Sequence, residues 1–229
     1  PEGVIRSIKG ANFLNIIGDY DQKVISKKNR QEGWKSVKTP DKRAMFKWTY
    51  QALSKCSIKF LKGLPKQQTL HLEGLRLILS HGSPDSINEH LQPDTPTTRL
   101  TELANSSEAD IILCGHSHQA FVRRAAGVLF INPGSVGRLD DGDPRASYTV
   151  LTIEDGKSKA ETFRIPYHVT SAVQAMRRSG LPLIFAEVIR WGRNYDDVRA
   201  QIDQQPARPS LEPCGTLTLL TDFGLQDHF

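Results

Sequence analysis

The sequence predicts an α/β fold with mixed rather than purely parallel sheets, in a chain of 229 residues. Short β-type runs bounded by glycine, proline or polar turns are interspersed with helical patterns, and hairpins dominate the second half. Such a mixture is typical of α/β proteins. A chain of this length can form one large domain or two small ones, since single domains commonly have about 100–200 residues.

Seven runs have the composition of β-strands. Dipeptides that favour tight turns, Glu73-Gly74 and Asp155-Gly156, each separate two of these runs and therefore predict two hairpins. The predicted strands are Phe13–Ile17, Gln68–Leu72, Leu75–Leu79, Ile111–Cys114, Val128–Ile131, Tyr148–Ile153 and Glu161–Ile165.

Five segments are predicted to be helices, and a proline-rich stretch follows them. The predicted helices are Gly3–Lys9, Asp41–Ser54, Thr97–Ala104, Val169–Arg178 and Leu183–Trp191. Proline directly precedes three of them, as Pro40, Pro96 and Pro182, near the first turn where its missing N–H is tolerated. Residues 204–215, QQPARPSLEPCG, contain three prolines and no apolar period, so we interpret them as a linker.

Composition excludes several classes of function. The net charge of +5 favours anionic partners without selecting one. Neither the basic residues 27–30 nor Arg123-Arg124 are interleaved with aromatic residues, so nucleic-acid binding is not expected. No apolar stretch approaches the about 20 residues that span a bilayer, so no membrane association is expected either.

Cysteine usage favours a reducing compartment. The three cysteines are far apart and form no C-x-x-C, which argues against a disulfide framework or a zinc knuckle. We therefore expect a cytoplasmic protein. The sequence leaves the oligomeric state open. The cysteines are Cys56, Cys114 and Cys214.

Three predicted strands end in glycine-flanked groups that can bind cations. His116 and His118 follow the run IILC, His81 follows Leu75–Leu79, and Asp19 follows Phe13–Ile17. In an extended segment residues i and i+2 share one face, so both histidines of His-Ser-His are predicted to point at one spot. Ligand sites of open α/β sheets lie beyond the carboxyl ends of strands. Alone, each group could be a turn or a surface histidine, but their recurrence at three strand ends favours a metal site.

The blocks IIGDYD, LSHGSP, LCGHSH and INPGSVG, in that order, resemble the later motifs of calcineurin-like metallophosphoesterases, in particular the small prokaryotic phosphodiesterase branch. The resemblance covers roughly residues 1–190. It implies a four-layer α-β-β-α sandwich with two mixed sheets and two divalent metal ions, manganese, iron, zinc or nickel, bridged by an aspartate and a water. Two such ions can clamp a phosphate and activate the water that hydrolyses a phosphoester.

The same resemblance implies the ligands. His81 and His116 match ligands of the second metal, and His118 matches a ligand of the first. Asp19 stands where the family has an asparagine; a carboxylate still coordinates such cations and adds negative charge, so we expect tighter binding. Tyr20 stands where many members have a histidine that assists the leaving group. We assign no catalytic residue and no organic-cofactor site.

Neighbouring residues are predicted to support these ligands. Asp21 is expected to brace the loop that precedes it rather than bind metal. Cys114 is interpreted as a small buried hydrophobe. The turn at 132–135 is expected to shape the wall beside the metals.

Two further motifs of the family, Asp-x-His and Gly-Asp-x-x-Asp, do not occur before residue 19. They supply the bridging aspartate and the other first-metal ligands. We therefore expect residues 1–203 to be a partial metallophosphoesterase domain of a longer protein, impaired on its own. The run at 216–227 resembles the opening strand of S-adenosylmethionine hydroxide adenosyltransferases, so 216–229 either begins a second domain or is a plain edge strand.

Three functions follow from these patterns. The first is a metal-dependent phosphodiesterase or phosphomonoesterase whose partner is a small phosphoester, with specificity set by loops such as Ser83–Pro96. The second is a non-catalytic scaffold on the same fold, as in the retromer subunit that resembles this branch. The third is an accessory domain of an adenosylmethionine-hydrolysing fusion protein. The retained imidazoles favour the enzyme, because a scaffold does not need them.

Overall fold

The strands of this protein form two sheets. The computed structural model describes residues 1–11 and 13–204, and within them the strands are β1 Gln67–Leu72, β2 Leu75–Ser80, β3 Ile111–Leu113, β4 Phe121–Ala125, β5 Val128–Asn132, β6 Ala146–Glu154 and β7 Lys157–Ile165. The first sheet has the order β1-β2-β3-β5-β4, in which β2, β3 and β5 are parallel and both edge strands are antiparallel. The second sheet is predicted to be mixed, but in the described residues it is the antiparallel hairpin β6–β7.

Helices flank these sheets. In the same residues they are α1 Glu2–Gly10, α2 Asp19–Ile25, α3 Lys27–Gln31, α4 Pro40–Gln51, α5 Lys55–Gly63, α6 Thr97–Ser107, α7 Val169–Arg178, α8 Ile184–Trp191 and α9 Tyr195–Gln204. None of these helices is long and apolar enough to cross a membrane. Gln204, the first residue of the predicted linker, is the last residue of α9. The rest of the linker and the segment 216–229 lie outside the described residues.

The five-stranded sheet is covered on both faces, which explains why its parallel strands are almost continuously apolar. One face packs against α6, and the other packs against the inner face of β6–β7. The first face contributes Ile78, Ile112 and Phe130, which meet Leu100 and Leu103. The second contributes Leu77, Ile111, Leu129 and Ile131, which meet Leu151 and Ile153. The predicted α/β fold with two stacked sheets is confirmed.

A separate cluster of buried side chains joins α1, α2, α4 and α5. Its members include Ile5, Ile17, Val24, Phe46 and Leu61. This packing fixes α2 beside the first sheet, so that the first turn of α2 lies near the carboxyl ends of β2 and β3.

The prediction of a strand at Phe13–Ile17 is wrong. The segment belongs to neither sheet, and the Ile17 N–H donates to the carbonyl of Pro65 at 2.9 Å. Phe13 and Leu14 are 63% and 60% exposed. Apolar composition predicts extended backbone, but a strand also needs a ladder partner, which the described part of the chain does not provide at this position.

Five elements were not predicted from the sequence. In β4 two arginines interrupt the apolar pattern, and the turn into β5 uses Ala126, whose φ of 46° is unusual for alanine. The short helices α3 and α5 are rich in lysine and polar residues, and α2 begins within a motif that alone predicts only a turn. The last of the five is α9. Both hairpins at Glu73-Gly74 and Asp155-Gly156 are confirmed.

We expect Ile112→Ala to lower the free energy of unfolding by about 2–5 kcal/mol, because it leaves a cavity in the centre of the main core. Ile112 is 0% exposed between the sheet and α6. Urea unfolding measures the change. Val136→Ala is the control, because Val136 is 75% exposed and its truncation should change stability by less than about 0.5 kcal/mol. Equal losses in both variants would contradict this description of the core.

Candidate metal centre

Asp19, His81 and His116 bring three ligand atoms together beyond the ends of β2 and β3. His81 Nε2 lies 3.1 Å from Asp19 Oδ1 and 3.0 Å from His116 Nδ1. His116 Nδ1 lies 3.5 Å from the same Asp19 oxygen. Metal–ligand bonds of about 2.0–2.2 Å at tetrahedral or octahedral angles separate neighbouring ligands by about 3.0–3.5 Å, so this triangle has the dimensions of one cation's coordination shell.

The donor chemistry of this triangle also fits a cation. His81 Nε2 faces both a carboxylate oxygen and a second imidazole nitrogen. A ring nitrogen carries at most one proton, so one hydrogen bond cannot satisfy all three atoms at once. A divalent cation would accept a lone pair from each. Imidazole and carboxylate together suit manganese, iron, nickel or zinc.

Asp19 is fixed in its charged form. Burial disfavours the carboxylate, but hydrogen bonds from His116, His81 and Lys23 hold the pKa of Asp19 well below its usual value. Lys23, one helical turn along α2, places its Nζ 2.7 Å from Oδ2. The lysine therefore occupies one oxygen, and the other faces the two histidines.

A tight turn sets the position of His81. A Cβ on Gly82 would lie 2.4 Å from the carbonyl oxygen of Ser86 and 2.7 Å from that of Glu89, so only glycine fits there. The carbonyl of His81 accepts a hydrogen bond from the Gly115 N–H at 2.8 Å. The pairing of β2 with β3 is thus continued past the ends of both strands.

The predicted extended conformation of His-Ser-His is wrong. Strand β3 ends at Leu113, and His116 and His118 have φ angles of 64° and 58°, both in the left-handed region. Such conformations cost of order 1–3 kcal/mol each and persist only where the surroundings enforce them. The two rings therefore do not share a strand face, and they meet different partners.

Asn132 enforces this loop conformation. Its buried side chain donates from Nδ2 to the carbonyl of Gly115 at 2.8 Å and to Ser117 Oγ at 2.9 Å. Ser117 Oγ in turn donates to the carbonyl of Leu91 at 2.7 Å. Asn132 Oδ1 accepts from the N–H of Gly134 at 2.9 Å. The turn predicted to form a wall beside the metals thus supplies the side chain that holds the histidine loop.

Asp19, His81 and His116 line a cavity of about 750 Å³. His118 lines it too but does not join their triangle. Its Nδ1 lies 3.8 Å from Oδ2 of Asp140. Burial, with the charge of Arg138, lowers the pKa of His118 to about 4. The ring is therefore neutral near pH 7 and keeps a lone pair. Its predicted role as a first-metal ligand stays a prediction.

Two supporting predictions are confirmed. The Asp21 carboxylate accepts a hydrogen bond from the Gly18 N–H at 3.0 Å and so braces the start of α2. Cys114 is buried in the main core, where burial raises the pKa of its thiol to about 12. Tyr20 packs its ring edge against Phe46, with centroids 5.0 Å apart.

Several cavity residues were missed by sequence reasoning. His90 lies with its ring centroid 4.0 Å from that of His116. His90 belongs to the loop Ser83–Pro96, which is predicted to influence specificity. Its position in that loop is the only sequence feature that points to it. Arg138, Asp140 and residues 194–197 at the start of α9 also line the cavity. No motif marks them, because they reach the cavity only through tertiary packing.

Comparisons with known proteins place this chain among the phosphoesterases. A family model described as the calcineurin-like phosphoesterase superfamily domain matches residues 3–156. An uncharacterised protein of Methanocaldococcus jannaschii is 29% identical over 210 residues, covering 84% of this chain and 81% of that protein. A probable metallophosphoesterase of Methanothermobacter thermautotrophicus is 33% identical over 102 residues, covering 44% of this chain and 53% of that protein.

Solved structures share the fold. A hypothetical protein from Pyrococcus horikoshii superposes with a TM-score of 0.72 at 18% identity, covering 84% of this chain and 77% of that chain. A metallophosphoesterase from Sphaerobacter thermophilus gives a TM-score of 0.67 at 22% identity, covering 84% and 82%. At these identities the likeness concerns architecture alone.

We expect the free energy of unfolding of the metal-free protein to fall as the pH is lowered from 6.5 towards 4. The His118 imidazole is protonated near pH 6.5 in the unfolded chain but only near pH 4 in the folded protein. Acid therefore favours the unfolded state. The pKa difference for His118 corresponds to at most about 3.5 kcal/mol. Urea unfolding with a chelator should show that His118→Gln loses this part of the pH dependence.

The matched control is His71→Gln, because His71 is an exposed histidine on β1. Its pH dependence should equal that of the wild type. The same slope in the wild type and in His118→Gln would contradict a buried, neutral His118.

Proposed function

Because the chain belongs to the calcineurin-like phosphoesterase superfamily, we propose that it is a metal-dependent phosphoester hydrolase. The observation that carries the proposal is the triangle of Asp19, His81 and His116, whose three ligand atoms lie 3.0–3.5 Å apart at one cavity. Two divalent cations are proposed, with His118 contributing to the one that the triangle does not hold. Their proposed identity is manganese, iron, zinc or nickel.

Bound cations would supply Lewis-acid polarisation of a phosphoryl oxygen and would lower the pKa of a water molecule. The protein contributes position and charge. Asp19 provides a permanent negative charge, because Lys23 and the two histidines keep it ionised. The strained loop held by Asn132 prevents His116 from swinging away from His81. Ligands that are already in place cost no reorganisation when the reaction occurs.

Residues around the triangle can orient an anionic substrate. Arg138 and Lys42 line the cavity and attract phosphate. Burial and the neighbouring His116 lower the pKa of His90, so its neutral ring can donate one hydrogen bond to a phosphoryl or leaving-group oxygen.

The cavity size supports a small phosphoester as substrate. Its volume of about 750 Å³ lies within the range of about 300–1,000 Å³ that small-molecule sites occupy. Both phosphodiesters and phosphomonoesters fit this size. The proposed location is the cytoplasm, on the cysteine pattern alone. A scaffold would have no need of three convergent ligands, so the enzyme is the better-supported alternative.

In the full-length parent protein, we expect His81→Ala and His116→Ala each to lower metal-dependent hydrolysis of an aryl phosphodiester by more than about 100-fold. Loss of a residue that merely orients a ligand already costs about 10–100-fold, and these side chains would be ligands themselves. The assay is a Mn²⁺ titration of turnover, and circular dichroism should show that both variants remain folded. The control is His71→Ala, an exposed histidine outside the cavity.

Two results would contradict the proposal. Wild-type turnover in either variant would refute the ligand assignment. Absence of hydrolysis by the full-length parent protein with each of manganese, iron, zinc and nickel would refute the proposed reaction.

A further inference from the structure

Two buried polar atoms that lack a hydrogen-bond partner among the described residues belong to neighbouring side chains beside the cavity. They are Nδ1 of His118 and Oδ1 of Asp140. An unpaired buried donor or acceptor costs about 1–3 kcal/mol, so native proteins contain few of them. A pair of such atoms on adjacent side chains therefore indicates that the two groups interact.

The geometry allows this interaction. The closest approach, from His118 Nδ1 to Asp140 Oδ2, is 3.8 Å, which is an ion-pair distance. A movement of about 1 Å would bring the atoms to hydrogen-bond distance. Arg138 keeps the carboxylate in place, because its Nη2 lies 3.2 Å from Oδ2 of Asp140. A guanidinium can only donate, so the acceptor available to an N–H of His118 is the carboxylate.

The two nitrogens of His118 have different surroundings. Nδ1 is buried and faces Asp140, whereas Nε2 is not among the buried unpartnered atoms and the ring lines the cavity. A neutral imidazole carries one proton, and the hydrogen bond made by one nitrogen decides where that proton is. A proton on Nδ1 leaves the lone pair on Nε2.

We propose that Asp140, held by Arg138, is a positioning residue that accepts a hydrogen bond from Nδ1–H of His118 and so directs the Nε2 lone pair into the cavity. Carboxylates orient histidine ligands in this way at many metal sites. The inference rests on the proposed function, because a lone pair at Nε2 is what a cation in the cavity would require. It concerns the chain alone, however, and can be measured without metal or substrate.

The test is the tautomer of His118 in the metal-free protein near neutral pH. Long-range ¹H–¹⁵N spectra of histidine-labelled protein distinguish Nδ1–H from Nε2–H, and the signals of His118 are those missing from His118→Gln. We expect Nδ1–H in the wild type. Asp140→Ala should shift the ring towards Nε2–H, which an isolated imidazole side chain favours in water. Asp140→Asn should keep Nδ1–H, because the amide oxygen accepts the same hydrogen bond.

The matched control is Asp143→Ala, which removes a half-buried carboxylate of the same loop that pairs with Arg145. It should leave the His118 spectrum unchanged. An Nε2–H tautomer in the wild type would overturn the proposal, and so would an unchanged tautomer in folded Asp140→Ala. The wild-type spectrum is decisive by itself, even if Asp140→Ala fails to fold.

Metal titration supplies a second readout. Asp140→Ala should weaken Mn²⁺ binding about 10–100-fold at the position that uses His118, and should leave binding at the triangle of Asp19, His81 and His116 unchanged. Failure of this inference and failure of the proposed function are distinguishable. An Nδ1–H tautomer without metal-dependent hydrolysis would refute only the enzyme, and hydrolysis with an Nε2–H tautomer would refute only the role of Asp140.

Discussion

The candidate centre depends on one backbone hydrogen bond, from the Gly115 N–H to the carbonyl of His81 at 2.8 Å. It continues the parallel pairing of β2 and β3 beyond the last ladder pair, Leu79 with Leu113. Because the two segments that follow β2 and β3 remain in register past the strand ends, the imidazoles at 81 and 116 emerge side by side. The rigidity of the buried sheet is thereby transferred to two ligands, and Gly82 is required because no side chain fits in the turn that follows.

The loop that carries His116 and His118 is held by side-chain hydrogen bonds. His116 and His118, which flank Ser117, both have left-handed backbone. Each such conformation costs of order 1–3 kcal/mol, so an unrestrained loop would relax to other backbone angles. Asn132 opposes that relaxation with two hydrogen bonds, to the Gly115 carbonyl and to Ser117 Oγ, and each bond of this kind contributes about 0.5–1.5 kcal/mol. Strain and restraint are thus of similar size. The consequence is a centre whose candidate ligands are arranged by the fold itself.

Sequence patterns could predict the parts of this site that are local. Apolar runs ending in glycine-flanked ligands marked β2 and β3 correctly, and turn dipeptides located both predicted hairpins. They failed where the outcome depends on distant partners. The strand composition of 13–17 could not reveal that no ladder partner lies beside it within residues 1–11 and 13–204. The spacing of His-Ser-His could not reveal left-handed backbone, because that conformation is imposed by Asn132, a residue on another strand. Asp140 has no motif and is recognised only through its contact with His118.

The cavity itself is composed of two parts of the chain. The three convergent ligands and His118 lie within residues 3–156, which match the family model. The cavity wall also includes residues 194–197 at the start of α9, beyond that match. Tyr195 holds the wall in place by donating its hydroxyl to Asp41 at 2.8 Å, and the Gly142 N–H donates to the carbonyl of Gly192 at 2.8 Å. The groups suited to binding cations therefore come from the family domain, whereas another part of the cavity lining comes from a helix outside it. Change in α9 can consequently alter the shape of the cavity without disturbing the ligands.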